Sequence, residues 1–150
     1  MAVELLKNNG PQNISKNVAG KGTKIHAIVG KQGIVQVCIT GAGVHDSKPA
    51  IEMLYSLNLN EISTFVADKA YDTNKIHDIL KYYKIQACIP PYKNRKQFSY
   101  FDKTMYKWRH RVENLFQRIK ENRRLSMRYE KLDSTFLGFI AISLIKLEVC

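Results

Sequence analysis

The sequence predicts an α/β fold in which helices flank a mixed β-sheet. Three patterns support this prediction. Two β-branched runs near the N-terminus are separated by a short turn, short apolar strands alternate with helices in the middle of the chain, and two long helical patterns follow residue 102. The 150 residues are enough to bury one hydrophobic core, and no internal repeat or linker divides them.

The first part of the chain predicts a polar arm followed by a β-hairpin. Residues 1–23 form the arm, because this stretch is polar and rich in Gly and Asn from residue 8 onward. Residues 24–150 form the predicted domain. It begins with β-branched runs at 24–29 and 34–40, and the intervening Gly30-Lys31-Gln32-Gly33 is typical of a hairpin turn.

The middle of the chain predicts a helix, a strand, a second helix and a second strand. Asp46 or Ser47 caps the first helix, and Asp72 or Thr73 caps the second. A pair of prolines stops the second strand. In order, these elements cover residues 48–57, 64–67, 73–83 and 86–89.

Two helices follow a basic loop at residues 92–100. Asp102 caps the first of them, which runs over 103–123. After a connector at 124–128, the second covers 131–148, and its apolar stretch is about 14 residues long. A membrane span needs about 20 apolar residues, so the sequence predicts a buried helix and no membrane partner.

The net charge of the chain indicates a nucleic-acid partner. It is +11 overall, and residues 93–131 alone hold thirteen Lys or Arg against four acidic residues. Aromatic residues lie among these cations, which favours a DNA- or RNA-binding surface over a solvated basic face. Cys38, Cys88 and Cys150 form no CxxC pair, so neither a zinc site nor a disulfide framework is predicted, and a reducing cytoplasm is the expected location.

The long basic helix is predicted to present four functional side chains along one edge. At about 100° per residue, Tyr106, Arg109, Glu113 and Lys120 fall within a stripe of roughly 60°, beside an apolar arc. Trp108 belongs to this arc and is expected to anchor the helix to the core. Taken alone, Glu113 is as well explained by an ordinary i,i+4 ion pair. Its position in the stripe is what suggests a site for an anion next to a metal.

Asp68 is the second acidic candidate, because it directly ends a short buried strand. Active residues of open α/β sheets gather at the carboxyl ends of strands, although a turn or a helix cap explains such an Asp equally well. Asp72 competes for the same role but suits a helix N-cap. Together, Asp68 and Glu113 offer the hard oxygen ligands that Mg²⁺ and Mn²⁺ prefer, with cations nearby for phosphates.

These residues match a known family. The spacing of Tyr106, Arg109, Glu113 and Lys120 reproduces the Y-(2)-R-(3)-E-(6)-K signature of bacterial insertion-sequence transposases of the DDE class, which the chain therefore resembles from about residue 15 onward. Asp68-Lys69-Ala70-Tyr71 resembles the second motif of that family. The segments at residues 22–26 and 123–131 are also similar to it.

The resemblance implies a ribonuclease-H-like core, two divalent metal ions (Mg²⁺ or Mn²⁺), and cleavage and joining of transposon-end and target DNA. It implies that Asp68 and Glu113 are catalytic metal ligands, and that no covalent protein–DNA intermediate forms. The implied DNA contacts come from one set of aromatic and cationic residues: Tyr106, Arg109, Lys120, Arg123, Arg124, Arg128 and Lys131. The expected location is the bacterial cytoplasm, at the nucleoid, and a homo-oligomer is left open.

The chain departs from the family pattern at its start. The family has a first Asp on the first strand of its sheet, upstream of the hairpin, whereas here no Asp precedes Asp46 and the only earlier acid is Glu4. We therefore expect the sheet to lack its first strand, the isolated chain to be inactive, and an upstream transposase segment to supply the missing Asp. Two alternatives remain, namely a basic DNA-binding remnant without catalysis and a metal nuclease of related fold that uses Asp46.

Overall fold

The N-terminal strands form a three-stranded antiparallel sheet. The computed structural model describes residues 14–17, 20–93 and 101–149. Strands β2 (Gly20–Gly30) and β3 (Gly33–Gly41) make the hairpin that the sequence predicts, with His26 opposite Cys38, and β1 (Ser15–Asn17) pairs with the start of β2. The β-branched residues of β2 and β3 alternate on a pleated surface, which stabilises the pairing.

Strand structure extends into the predicted polar arm. The arm was expected to cover residues 1–23, yet β1 and the first residues of β2 lie within it. The backbone hydrogen bonds of the added strand outweigh the weak β-propensity of Gly and Asn there. Residues 1–13 and 18–19 of the arm lie outside the described residues.

A helical layer and a second, parallel pair of strands follow. The elements are α1 (Ser47–Tyr55), a 3₁₀ turn at Leu59–Glu61, β4 (Thr64–Val66), a 3₁₀ turn at Lys69–Tyr71, α2 (Asn74–Tyr82) and β5 (Gln86–Cys88). Phe65 of β4 lies opposite Ala87 of β5. Helix α2 is amphipathic and buries Ile76, Ile79 and Leu80 against the strands.

The fold is mixed α/β, but the single mixed sheet that was predicted is divided. Within the described residues, β1–β3 form one sheet and β4–β5 another. The alternation of strands and helices in the sequence predicts which segments are strands. It does not determine which strands share hydrogen bonds, because that depends on long-range pairing.

The C-terminal part is helical, with more interruptions than the sequence suggests. In place of one helix over 103–123, the chain forms α3 (Lys103–Tyr106), a 3₁₀ segment (Lys107–Arg109), α4 (His110–Glu121) and α5 (Arg123–Met127). Helix α6 (Asp133–Val149) ends the fold. Asn122 breaks the helical run because its side chain accepts the backbone N–H of Arg124 and starts α5, which replaces the predicted connector.

Two compact units make up the chain. One spans His45–Glu113, and the other joins the described residues up to Val44 with those from Asn114 onward. The first has its own core around Leu54, Ile76 and Leu80, and the second packs β3 against the C-terminal helices around Phe136 and Ile140. No helix of the described residues is long and apolar enough to cross a membrane.

Candidate active site

Asp68 lies where the sequence predicts it, directly after β4. The strand leads into Ala67, which is buried and donates its N–H to the carbonyl of Cys88 at 3.3 Å. Asp68 itself is extended and caps the following 3₁₀ turn, since its Oδ1 accepts the N–H of Ala70 at 2.7 Å. The turn-capping interpretation is thus correct for one carboxylate oxygen. Among the described residues, the other oxygen accepts no hydrogen bond, so it remains open to a ligand.

Arg109 contacts two other residues of the predicted stripe on the basic helix. Its Nη1 donates to the hydroxyl of Tyr106 at 3.0 Å, and its Nη2 lies 2.9 Å from Oε1 of Glu113. The guanidinium also lies over the Tyr106 ring, 5.6 Å from the centroid. The other oxygen of Glu113 lies 2.9 Å from Nδ1 of His110. Arg109 therefore contacts two of the other predicted stripe residues, Tyr106 and Glu113.

Both acidic candidates act electrostatically on this arginine. Burial lowers the pKa of Arg109, but the hydrogen bond to Tyr106 and the negative charges of Glu113 and Asp68 outweigh it and raise the pKa above its usual value. The influence of Asp68 means that its carboxylate lies within electrostatic range of the guanidinium that Glu113 binds. Arg109 forms its ion pair with Glu113, and the carboxylate of Asp68 acts on it only through its charge.

The 3₁₀ segment preserves the stripe but moves a neighbour that was expected in the core. In 3₁₀ geometry, residues i and i+3 are eclipsed, which keeps Tyr106 next to Arg109. Trp108 lies within this segment. It is 46% exposed, with Arg111 stacked 5.4 Å from its ring centroid, so the prediction that Trp108 anchors the helix in the core is wrong.

Asp72 is a structural carboxylate with both oxygens occupied. Oδ1 lies 2.8 Å from Nε2 of His77, and Oδ2 accepts the N–H of Tyr92 at 2.8 Å. Its side chain is only 1% exposed. Thr73 is the cap of α2, since its hydroxyl accepts the N–H of Ile76, and Asp72 instead fastens the loop after β5 to the start of the helix.

Asp46 occupies the N-cap position of α1 without a capping hydrogen bond from its side chain. Its neighbour His45 bonds within the turn, with Nδ1 2.9 Å from the hydroxyl of Ser47. Within residues 14–17, 20–93 and 101–149, no group of three or more His, Cys, Asp or Glu side chains is arranged to hold a metal ion.

The remaining predicted DNA contacts lie in the second unit and differ in accessibility. Lys120, Arg123 and Lys131 are exposed. The side chain of Arg124 is 51% exposed, pairs with Glu130 through Nε, and stacks on Phe139 at 3.8 Å. All four cations are accessible to a phosphate, and Arg124 also pairs with the buried Glu130.

Arg128 has internal partners that the sequence does not reveal. Its guanidinium lies 2.7 Å from Asp133 and also hydrogen-bonds the carbonyl of Glu130 and the hydroxyl of Thr23. Its side chain is 9% exposed and its φ is +40°, a left-handed conformation. This geometry joins strand β2 to the C-terminal helices, so a DNA contact of Arg128 stays a prediction. Glu130 and Asp133, two and five residues after Arg128, are the sequence feature that could have indicated an internal role for this arginine.

Comparison with known proteins identifies the family. Residues 7–145 match the family model described as the transposase DDE domain. A protein of Brucella ovis, named as a transposase for insertion sequence element IS6501, is 30% identical over 122 residues, which are 81% of this chain and 93% of that protein. No solved structure matches. The chain therefore belongs to the DDE transposases of bacterial insertion sequences.

Proposed function

We propose that this chain carries part of the catalytic site for metal-dependent cleavage and strand transfer of transposon-end DNA. The observation that supports the proposal best is the position of Asp68 directly after strand β4, with only one of its carboxylate oxygens engaged by the turn that follows. Glu113, in the same compact unit, is the second carboxylate that the proposal needs. A ribonuclease-H-like core is proposed with it, supported by the parallel pairing of β4 and β5 under helices α1 and α2.

The donor set fits Mg²⁺ or Mn²⁺. Asp68 offers a carboxylate oxygen that no described residue occupies, and Glu113 is held by Arg109 and His110, two cationic or protonatable partners that a metal ion would displace. Two such ions, when bound, stabilise the charge on the attacking and leaving oxygens of a phosphodiester. In the proposed reaction, water attacks a phosphodiester at the transposon end and releases a 3′-hydroxyl. That hydroxyl then attacks a phosphodiester of the target DNA and displaces a 3′-hydroxyl of the target strand, without a covalent protein intermediate.

The chain's own residues would then bind and orient the DNA. Arg109, freed from Glu113, neutralises a phosphate beside the carboxylates, and Tyr106 keeps the guanidinium in place through its hydroxyl and its ring. Lys120, Arg123, Arg124 and Lys131 supply further phosphate contacts from exposed positions. With DNA as its substrate, the protein would act at the nucleoid of the bacterial cytoplasm.

Measuring metal affinity tests the catalytic role. Mn²⁺ titrated into the full chain should bind about tenfold more weakly to Asp68→Asn and to Glu113→Gln, since loss of even an outer-shell partner costs 10–100-fold. Glu52→Gln, which removes an exposed carboxylate of α1, is the matched control and should bind as the wild type does. Equal affinities in all four proteins would leave Glu113 as a simple ion-pair partner.

That outcome would support a second candidate, a DNA-binding module without catalysis. The specific observation in its favour is that both oxygens of Glu113 already have partners, as expected of a helix ion pair. In such a module, DNA affinity would be indifferent to Mn²⁺. In the proposed enzyme, Mn²⁺ should strengthen the binding of transposon-end DNA.

A third carboxylate is also proposed, from a transposase segment outside these 150 residues. Two carboxylates hold a pair of divalent ions weakly, and no Asp precedes Asp46 in this sequence. The isolated chain should then join a transposon-end duplex poorly in a gel assay with Mg²⁺ or Mn²⁺. Efficient joining by the chain alone would contradict this part of the proposal.

A further inference from the structure

A pocket of about 550 Å³ opens next to Asp68. The described residues that line it are Lys69, Pro91, Tyr92 and Lys93, and Lys69 directly follows Asp68 in the chain. Its volume lies within the roughly 300–1,000 Å³ of small-ligand sites. We propose that it is a nucleotide subsite, which holds one unpaired nucleotide of the DNA strand that passes the carboxylates. This inference rests on the proposed function and adds a substrate contact to it.

The charges of the pocket favour a phosphate. Lys69 and Lys93 are both exposed, and within the described part of the chain neither ammonium group forms an ion pair. Two like charges that line one pocket repel each other, and this repulsion is relieved when an anion binds between them. A phosphodiester supplies that anion, and Lys is a common phosphate ligand.

The apolar part of the pocket favours a nucleotide over a bare phosphate. Tyr92 is 47% exposed and lies beside Pro91, so a large aromatic ring and a rigid apolar ring border the same space as the two cations. Stacking on an exposed aromatic ring is how proteins hold unpaired bases without reading their identity. A base or sugar on Tyr92, with its phosphate between the lysines, uses both features at once.

Asp72 gives this pocket a fixed shape. It is buried, it directly follows the turn that carries Lys69, and its Oδ2 accepts the N–H of Tyr92 at 2.8 Å. The two walls of the pocket are therefore joined by a hydrogen bond to a carboxylate. A site held in place before binding loses less conformational entropy when its ligand arrives. Asp72 is thus a positioning residue for the subsite.

Binding of fluorescein-labelled single-stranded oligo(dT) to the full chain tests the proposal. Fluorescence anisotropy should show a loss of at least about fivefold in affinity for Tyr92→Ala, with near-wild-type affinity for Tyr92→Phe, because stacking needs only the ring. Lys69→Gln and Lys93→Gln should each lower the slope of log affinity against log salt by about 0.7. Tyr82→Ala and Lys75→Gln, exposed residues of α2 that do not line the pocket, are the controls.

The outcomes separate this inference from the proposed function. If the pocket variants bind oligo(dT) as the controls do, the subsite is refuted, whatever the metal titration gives. Lysine effects without a Tyr92 effect also refute it, since the pocket would then bind phosphate alone. Mn²⁺ affinity should be unchanged in Tyr92→Ala and reduced in Asp68→Asn, so a failed subsite and a failed metal site give different results.

Discussion

Arg109 shows, at the scale of a single residue, how one side chain can serve two states of a site. It pairs with Glu113 in the structure, and under the proposed function it would bind a phosphate once Glu113 binds a metal ion. Arg109→Gln should therefore raise Mn²⁺ affinity while it lowers DNA affinity. For a partly exposed pair we expect changes of about two- to fivefold. Titration calorimetry measures the Mn²⁺ affinity and fluorescence anisotropy measures the DNA affinity. Arg118→Gln, which removes an exposed cation of α4, is the control. Parallel loss of both affinities would contradict this view.

Glu130 should leave a signature in the pH dependence of stability. Burial raises the pKa of its carboxyl, but the hydrogen bond from Arg124 and the charges of Arg124 and Arg128 outweigh this and hold the pKa below its usual range. A carboxyl with a lowered folded-state pKa stabilises the protein above its unfolded pKa of about 4.3 and loses that effect as pH falls through the folded value.

Urea unfolding across a pH series measures this effect. From neutral pH to below about 4, the free energy of unfolding of the wild type should fall more steeply than that of Glu130→Gln. The variant should be the less stable protein at neutral pH, because Gln gives Arg124 a weaker partner. Parallel curves for the two proteins would mean that Glu130 does not contribute to the acid sensitivity.

Side-chain periodicity predicts contacts within a helix better than it predicts exposure. Arg109 contacts both Tyr106 and Glu113, because spacings of three and four residues keep such pairs on one face in either helical geometry. Trp108 and Arg128 were not foreseen. Trp108 lies in a 3₁₀ segment that no residue type predicts, and Arg128 hydrogen-bonds Thr23, more than a hundred positions away.

At the scale of elements, capping residues were the most predictable feature. Asp102 begins α3 as expected, and its Oδ1 accepts the N–H groups of Thr104 at 2.8 Å and Met105 at 3.1 Å. Asp102→Ala should lower the free energy of unfolding by about 1 kcal/mol, whereas Asp102→Asn should retain most of the stability that the cap contributes. Chemical denaturation measures both, and an equal loss in the two variants would mean that charge, not capping, is what the helix requires.

Asp72 connects two elements, and its loss should cost more than loss of a cap. Asp72→Ala leaves the ring of His77 and the N–H of Tyr92 without their buried acceptor. We expect a destabilisation of about 1–3 kcal/mol. Asp78→Ala, on the exposed face of the same helix, should change stability by no more than about 0.5 kcal/mol. A similar destabilisation in the two variants would mean that Asp72 does not hold the wall of the pocket in place.

At the scale of the whole molecule, composition predicts the partner but local patterns do not predict the sheet arrangement. Most of the described Lys and Arg residues between 93 and 131 are exposed, and a nucleic-acid surface formed by them stays a prediction. The division into two sheets and two units could not be predicted in the same way. It depends on which strands find partners across long stretches of chain, and each strand considered alone is consistent with one sheet or two.

The salt dependence of duplex binding provides a test at this largest scale, because it counts the phosphates that the protein neutralises. Lys120, Arg123 and Lys131 are exposed, so changing all three to Gln should reduce the slope of log affinity against log salt by about 2.7, at 0.9 per contact. A triple Gln variant at Lys48, Lys75 and Lys81, which are exposed in the other unit, removes the same net charge and should leave the slope near that of the wild type. Arg128→Gln should instead lower the melting temperature, because its guanidinium is held by Asp133 and Glu130 inside the fold. Equal reductions of the slope by both triple variants would mean that net charge alone binds the duplex, and the assignment of DNA contacts to the C-terminal helices would then be wrong.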